Sequence, residues 1–455
     1  MSPVRHRFLI AMLILACTVV SLPAQEGFDF SFDLGIGAQS FEEDGETVVY
    51  QSIQLQPDVS FGNFGIGLAL DINYSFTGGE GNEFTIREED WDPSAAGVGF
   101  LELYLPKFRY VRWAQKGAPL FALLGSIDAG TLGNGFIMGG YTNTLFLPDR
   151  RIFGMQLDVD GRLFNFPLIG LETIVPNFAS WNILGGRLFV RPLTFFDIPI
   201  INALQVGATY VQDSNPYYNL ARDPDYPDGS PTTLAEDSIA DDSAVSVFGM
   251  DVRLPILGSD LVSLAAFGDL VFQGDATGGM LGAGGRFRGF ITYGAQLRFL
   301  GDDFIPVYFD ALYDVTAAGK YSVYANGDST TIPGYVGWFA TAGFSIIDDL
   351  ISANVGIDGP FGSETTALPG LRGQFNLAEG LVPGITASAH YTKTNIETFD
   401  DLISPVDASI GAQINYQTGP ALISLVYNVT YDPAVADDAN AWKVTSGIQT
   451  SVSLF

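Results

Sequence analysis

The chain has 455 residues, of which 47% are hydrophobic, and it carries 51 Asp and Glu against 21 Lys and Arg. A formal net charge of −30 argues against binding to nucleic acid or to anionic lipid through charge. One cysteine and two histidines exclude a disulfide framework and zinc sites built on Cys and His, and we expect no metal or other cofactor.

The N-terminus has the pattern of a secretory signal peptide. Basic residues at positions 5 and 7 precede an apolar run from Phe8 to Val20, and small residues follow it. We expect cleavage after Ala24 or Gln25, so that residues 1–24 are removed and residues 25–455 form the mature protein.

The stretch from Ile53 to Phe76 predicts a long β-hairpin. Its second half, Phe64–Phe76, alternates large apolar residues with small or polar ones, which is typical of a strand with one apolar face. Gly62–Asn63 between the halves can adopt the positive φ angles of a two-residue turn. At ~3.3 Å per residue the second half spans roughly 43 Å, and a tilt of ~45° gives a rise of about 30 Å, the thickness of a bilayer core.

Short polar connections alternate with long acidic loops along the rest of the chain. The longest predicted loop is about Gln212–Ser243, and another is predicted at Gln273–Arg286. Alternation starts at Phe28 and the chain ends inside a strand, which leaves little room for an N-terminal plug and implies an even number of strands. We therefore predict an all-β fold, a transmembrane antiparallel up-and-down β-barrel of about 18 strands with a range of about 16 to 20.

Later strands place apolar residues on one parity and polar residues on the other. Ile291–Phe299 and Ile305–Tyr313 are two predicted strands of this kind. Carboxylates on the polar parity are the best functional lead, because acidic groups in a pore attract cations, although they could equally serve only to keep the lumen wet. The expected pore-lining residues are Asp33, Asp71, Asp158, Asp251, Asp269, Asp310 and Arg298.

Gly125–Arg151 is rich in glycine and alternates poorly, and basic residues surround it. One interpretation is a loop folded into the lumen that sets a constriction. The pattern favours another, an irregular strand pair with bulges whose arginines pair with neighbouring Asp. A third is an ordinary surface loop at Gly139–Tyr141. The arginines that would line the constriction are Arg109, Arg112, Arg150 and Arg151.

No enzymatic site is predicted. His390 is the only histidine after the signal peptide, and no pattern marks a nucleophile or an orienting carboxylate to accompany it. Asp223–Gly229 is acidic, but two prolines interrupt it and Leu234 stands where a calcium loop needs Glu, so we interpret it as a solvated loop.

The signal peptide, the continuous alternating strands and the C-terminal Phe455 together resemble bacterial outer-membrane β-barrel proteins. In that family the final Phe is recognised by the barrel-assembly machinery, and Phe455 matches it, whereas Ser451 and Ser453 occupy positions that are usually apolar. The resemblance implies a location in the bacterial outer membrane and contact with its lipid, without identifying a subfamily.

Two functions agree with these features. The first is a porin-like channel for passive diffusion of small solutes, with a preference for cations. The alternative is a surface-exposed structural protein or adhesin that acts through its acidic extracellular loops.

Overall fold

The computed structural model describes most of the chain after the signal peptide. The described residues are 28–43, 46–77, 83–146, 151–196, 198, 200–219, 244–259, 261–325, 332–346, 350–362, 368–382, 385–404, 406, 408–418, 421–431 and 442–453. The predicted signal peptide, Arg150 and Phe455 lie outside these ranges. Within them, no helix combines the length and the apolar character needed to cross a membrane.

The described residues form 22 strands in one sheet. The strands are β1 (Phe28–Glu43), β2 (Glu46–Phe61), β3 (Phe64–Leu68), β4 (Leu70–Thr77), β5 (Glu83–Ile86), β6 (Phe108–Trp113), β7 (Leu120–Gly125), β8 (Gly154–Asp160), β9 (Ile169–Val175), β10 (Ile183–Val190), β11 (Gln205–Asp213), β12 (Val245–Gly258), β13 (Val262–Gln273), β14 (Ala276–Phe287), β15 (Ile291–Leu300), β16 (Tyr335–Ile346), β17 (Ile351–Pro360), β18 (Gly370–Val382), β19 (Ile385–Lys393), β20 (Ala408–Thr418), β21 (Ala421–Tyr431) and β22 (Trp442–Ser453).

Helices are few among the described residues. The α-helices are α1 (Pro93–Ala96), α2 (Phe100–Tyr104) and α3 (Tyr313–Ala325), and the 3-10 helices are Leu105–Lys107, Gly161–Phe164, Ile201–Ala203 and Phe399–Ile403. Of these, α3 packs against the sheet through Tyr313 and Ala317.

The strands pair antiparallel with their neighbours in chain order, as predicted for an up-and-down sheet. β3 and β4 continue one another along β2, and β5 pairs with β4 while β6 pairs with β3. The described strands therefore occupy twenty positions, and the prediction of about 18 is not confirmed. Three residues of β1, Asp33–Gly35, pair with Ser451–Ser453 of β22.

Alternation gives the sheet two chemically different faces. In β15, Leu297 and Phe299 are exposed while Arg298 between them is buried. In β11, Tyr210 is exposed while Thr209 and Val211 are buried. We call the face that carries Arg298 and Thr209 the inner face and the opposite one the outer face. The period of two along each strand produces this separation.

Two predicted elements are wrong. Ile305–Tyr313 is not a strand, because Tyr308 and Phe309, of opposite parity, are both buried in the core and neither faces outward. Gln273–Arg286 is not a loop, because β13 and β14 pair along their whole length around a turn at Gly274–Asp275. Glycines such as Gly282 and Gly284 hid the strand pattern of β14 from the sequence analysis.

The hydrophobic core of the described residues lies on the inner face of the sheet, where two segments of the chain pack against the strands. It consists of the first inner segment (residues 126–146) and the second inner segment (residues 304–325, including α3), packed on inner-face side chains of β9 to β15. After Gly125 the chain leaves the sheet, so the irregular strand pair and the surface loop considered for this region are both wrong. Fully buried residues of the first inner segment include Ile127, Met138, Tyr141 and Asn143.

Candidate functional site on the inner face

The two inner segments are joined through their backbones. The amide of Phe309 donates to the carbonyl of Ile137 at 3.1 Å, and the amide of Gly139 donates to the carbonyl of Phe309 at 3.2 Å. Met138 and Phe309 thereby form a parallel bridge. Because these backbone groups are buried, separating the segments would leave them unpaired. The inner segments therefore behave as one unit.

Two tyrosine hydroxyls fix this unit further. The Tyr141 hydroxyl donates to Asp314 Oδ1 at 2.7 Å, and the Tyr313 hydroxyl donates to Asp213 Oδ2 of β11 at 2.8 Å. All four side chains are buried. Burial, and then the nearby Asp314, raise the pKa of Tyr141 well above its ordinary value, so the hydroxyl stays a donor. The second inner segment is therefore tied both to the first and to the wall.

The predicted pore-lining residue Asp310 lies in the second inner segment and not on a strand. Lys320 of α3 forms an ion pair with Asp310 at 2.9 Å and donates to the carbonyl of Tyr308 at 2.8 Å. Burial lowers the pKa of Lys320, and the charge of Asp310 opposes this effect. Asp310 is thus neutralised by a cation of its own segment.

A buried charge cluster stands on the inner face of β9, β10 and β12. Arg187, which is 2% exposed, donates to both carboxylate oxygens of Asp251 at 2.8 and 2.6 Å. It also donates to Glu172 Oε1 at 2.9 Å. The bidentate arrangement uses the planar fork of the guanidinium. One cation therefore holds two carboxylates.

The tip of the first inner segment is bound to this cluster. The amide of Gly133 donates to Glu172 Oε2 at 2.9 Å, and Asn134 Nδ2 donates to Asp269 Oδ2 at 2.9 Å. Gly133 has a φ of +57°, and a Cβ there would lie 2.9 Å from Arg187 Cδ. The predicted residue Asp269 and the unpredicted Glu172 therefore hold the inner segment in place, and Asp251 acts only through Arg187.

The other predicted carboxylates are more scattered. Asp158 of β8 lies directly opposite Glu172 in the sheet, and Asp71 lies in β4. Asp33 is in β1, but its side chain lies outside what the structure describes. The structure thus brings Asp251 and Asp269 together and leaves Asp71 apart from them.

The predicted basic residues also separate. Arg298 Nη1 lies 3.5 Å from Asp358 Oδ2 on β17. Arg109 forms an ion pair with Asp58, whose Oδ1 also accepts a hydrogen bond from the Tyr110 hydroxyl at 2.8 Å. Arg112 lies opposite Gly65 on the inner face, and its Nε has no partner among the described residues.

Arg151 precedes β8 and donates to the Ser126 hydroxyl at 3.3 Å, at the start of the first inner segment. Burial lowers its pKa, and the charges of Asp71 and Asp128 oppose this effect while Arg109 adds to it. Three of the four predicted constriction residues, all except Arg150, are therefore described near the base of the segment.

Sequence analysis missed the residues that hold the site together, namely Arg187, Glu172, Asn134 and Asn143. A signal existed for Arg187, because it is the one charged residue of β10 and stands on the inward parity. No sequence signal marks the two asparagines, whose cited partners lie 135 and 33 positions away in the chain.

Asn143 joins the two ends of the first inner segment to each other and to the chain next to β8 and β9. Its Oδ1 accepts from the amide of Ile127 at 2.7 Å, and its Nδ2 donates to the carbonyls of Ile152 at 3.2 Å and Pro176 at 2.9 Å. Asn143 is fully buried. All these backbone groups depend on one side chain.

Asn143→Leu is therefore expected to loosen the base of the first inner segment. Each buried group left unpaired costs about 1–3 kcal/mol, and ~1.4 kcal/mol is a factor of ten in an equilibrium. The amide of Ile127 should exchange with deuterium about tenfold faster or more. Asn354→Leu, at an exposed position of β17, is the control. Equal exchange of Ile127 in both variants would contradict this role of Asn143.

The inner face of β17 to β20 differs from that of β9 to β15, against which the inner segments pack. Six of its polar side chains are exposed, and neither inner segment packs its core against this face. Arg372 there forms no ion pair with a described residue. The exposed polar side chains are Asn354, Arg372, Gln374, Asn376, Ser388 and Gln413. The inner segments thus cover the inner face of β9 to β15 and leave these side chains of β17 to β20 exposed.

The position of His390 gives no catalytic arrangement in the sheet. Its strand partners are Gln374 and Gly411, which offer neither a nucleophile nor a carboxylate. Within the described ranges no three His, Cys, Asp or Glu side chains are grouped to hold a metal ion.

No protein-family model matches the chain, and no curated protein matches it. Three solved structures illustrate its similarities. Acinetobacter baumannii OccAB1 has 10% identity and a TM-score of 0.30, with 94% of this chain and 96% of that one covered. Pseudomonas aeruginosa OpdQ has 10% identity, a TM-score of 0.31 and the same coverage. A triple mutant of Rhodopseudomonas blastica porin has 10% identity and a TM-score of 0.25, with 94% and 100% covered. Similarity at this level says nothing about function, so the function proposed below rests on the residues of this chain.

Proposed function

We propose that the protein is a β-barrel of the bacterial outer membrane and a porin-like channel for passive diffusion of small solutes. The observation that carries this proposal is the exposed polar inner face of β17 to β20 beside the packed inner segments. A strip of polar side chains along several strands offers water and solutes hydrogen bonds throughout their passage.

The outer face supports the membrane location. Large apolar side chains stand exposed on its strands, among them Leu188, Met250 and Leu281. Apolar surface of this extent is unfavourable in water and suits the acyl chains of a bilayer. Pairing of β1 with β22 agrees with a closed barrel, which membrane strands need because lipid cannot satisfy an open edge.

The inner segments set the width of the proposed pathway. They cover the inner face of β9 to β15, so that solutes pass between α3 and the wall formed by β17 to β20. Arg372 stands exposed on the β18 side of this gap, and the second inner segment contributes the ion pair of Lys320 with Asp310. Small hydrated solutes fit such a gap better than folded polypeptides do.

Cation preference remains part of the proposal. The chain carries a net charge of −30, and Asp158 on the inner face of β8 forms no ion pair with a described residue. Asp251 and Asp310 contribute less, because Arg187 and Lys320 neutralise them. The preference should therefore be modest.

Single-channel recording in planar bilayers tests the function. Purified protein that shows heat-modifiable migration in detergent gels should give discrete current steps, with a reversal potential across a KCl gradient that favours K⁺. Steps that favour Cl⁻ would keep the channel and remove the cation preference. An absence of current from heat-modifiable protein would contradict the channel.

The interlocked inner segments favour one alternative, a closed barrel that serves as a surface-exposed structural protein or adhesin. Its acidic loops would then meet a partner, and most of the largest one, Gln212–Ser243, lies outside the described residues. Binding of cells or matrix by a protein without current would support this alternative.

A further inference from the structure

The connection between β19 and β20 folds back onto the outer face of the sheet. We call residues 394–406 the outer segment, of which the structure describes all but one. Ile357 of β17 is exposed on the outer face and lies in register with Leu371 of β18, which lies in register with Lys393 of β19. Residues paired directly across an antiparallel sheet share a face. Lys393, and Tyr391 two residues before it, therefore stand on the outer face.

These two outer-face side chains hold the outer segment against the wall. The Tyr391 hydroxyl donates to the carbonyl of Leu402 at 2.7 Å. The Lys393 ammonium donates to the carbonyl of Val406, and Lys393 is only 3% exposed beneath the segment. A cation on the lipid face of a membrane barrel is destabilising, so there is a physical reason to cover it. The segment therefore lies outside the wall rather than over the lumen.

The outer segment has a defined conformation. Thr398 and Asp401 form a capping box at the start of the 3-10 helix Phe399–Ile403, and Asp401 Oδ2 accepts from the amide of Thr398 at 2.7 Å. The amide of Ile396 donates to the carbonyl of Pro369 at 3.0 Å, in the connection between β17 and β18. The helix is thus fixed both within the segment and to the neighbouring connection.

This fixed helix presents two large apolar side chains. Phe399 is 91% exposed and Ile403 is 87% exposed, more than any other large apolar side chain among the described residues. The carboxylates of Glu397 and Asp400 beside them are exposed as well. Irregular backbone and carboxylates do not belong in the hydrocarbon interior, whereas apolar side chains gain from contact with acyl chains. The combination suits the boundary between acyl chains and headgroups.

We propose that the outer segment is an interfacial anchor, which places Phe399 and Ile403 among the lipid acyl chains at the end of the sheet opposite the Gly62–Asn63 turn. This inference rests on the proposed membrane location. A buried phenylalanine contributes about 150–250 Å², so the two side chains together offer roughly 400 Å². That is half of the ~800 Å² that each partner contributes to a standard protein interface, so lipid is the better occupant. Contact with lipid also holds the segment down over Lys393.

Spin labels at single cysteines test this inference. In a full-length chain with Cys17→Ser, Phe399→Cys places a label in the anchor. Phe375→Cys places a control on the outer face of β18, and Asp275→Cys places one in the exposed turn between β13 and β14. The labelled proteins are reconstituted in phospholipid vesicles. The labels at positions 399 and 375 should be accessible to oxygen dissolved in lipid and shielded from a water-soluble nickel chelate, and the label at position 275 should show the reverse.

Access of the nickel chelate to position 399, beside an oxygen-accessible label at position 375, would mean that the segment stands in water and would overturn the anchor. Shielding of position 399 from both agents would mean that protein covers it, with dipolar coupling if the protein is a second copy, and would overturn the anchor as well. Failure of the membrane location itself would be distinguishable, because the label at position 375 would then also be inaccessible to oxygen.

A second measurement follows the cover of Lys393 without a label. Acylation of this lysine by a water-soluble amine reagent is measured by mass spectrometry on protein in vesicles. Phe399→Ser with Ile403→Ser should raise the rate of acylation severalfold, because lipid no longer holds the segment down. Phe164→Ser with Phe166→Ser removes exposed apolar side chains from a turn at the opposite end of the sheet and should leave the rate unchanged. Equal rates in the two double variants would refute the anchor.

Discussion

Arg187→Met is expected to lower the free energy of unfolding by about 3–5 kcal/mol, the usual cost of leaving a buried charge without its partner. Arg187 is the cation for both Asp251 and Glu172, and methionine fills similar volume without a charge. The two carboxylates would then lie close together with no neutralising group. Urea unfolding of the reconstituted protein, followed by far-ultraviolet circular dichroism, measures the change.

Two variants separate the loss of charge pairing from the loss of a large side chain. Arg372→Met, at an exposed inner-face position, should change stability by no more than ~0.5 kcal/mol. Adding Asp251→Leu to Arg187→Met should recover part of the loss, because one of the stranded carboxylates is gone. Equal effects of Arg187→Met and Arg372→Met would contradict the role of the charge cluster.

The same cluster binds the tip of the first inner segment through Gly133, so Arg187→Met should also loosen that segment. In single-channel recordings this would appear as added current noise. Current noise equal to that of the wild type would argue that the cluster stabilises the sheet without holding the segment.

Removal of the tip of the first inner segment is expected to raise the single-channel conductance severalfold and to weaken the cation preference. Gly130 and Tyr141 form an antiparallel bridge at the base, with N–O distances of 2.7 and 2.9 Å. Replacing Thr131–Gly140 by Asn-Gly would therefore close the base with a two-residue turn. The pathway widens because side chains such as Phe136 and Met138 no longer fill the interior.

The control for this deletion replaces Thr398–Ile403 by the same Asn-Gly pair, because Phe399 and Ile403 are exposed and lie outside the inner core. That variant should conduct like the wild type. Heat-modifiable migration must be retained in both variants, because the deletion also leaves the backbone of Phe309 without its partners. Unchanged conductance after deletion of the tip would mean that solutes do not pass the inner segments.

The period-two pattern predicted much of the wall correctly. Gly62–Asn63 forms the predicted turn, and in β15 Leu297 and Arg298 stand on opposite faces as expected. Alternation identifies such strands because an extended backbone points successive side chains to opposite faces, whatever the neighbouring strand. The same rule failed at Ile305–Tyr313, where apolar residues serve an interior core and both parities are buried.

The sequence by itself determined that the chain is an acidic, cysteine-poor, all-β protein, because composition and alternation are local properties. Only the tertiary structure decided that residues 126–146 and 304–325 leave the wall and interlock across its inner face. It also decided that Asp251 forms an ion pair with Arg187 and that Asp269 accepts a hydrogen bond from Asn134. Neither carboxylate is left to line an open pore. These pairs join residues 64 and 135 positions apart, and only the order and register of the strands between them bring such residues within hydrogen-bonding distance.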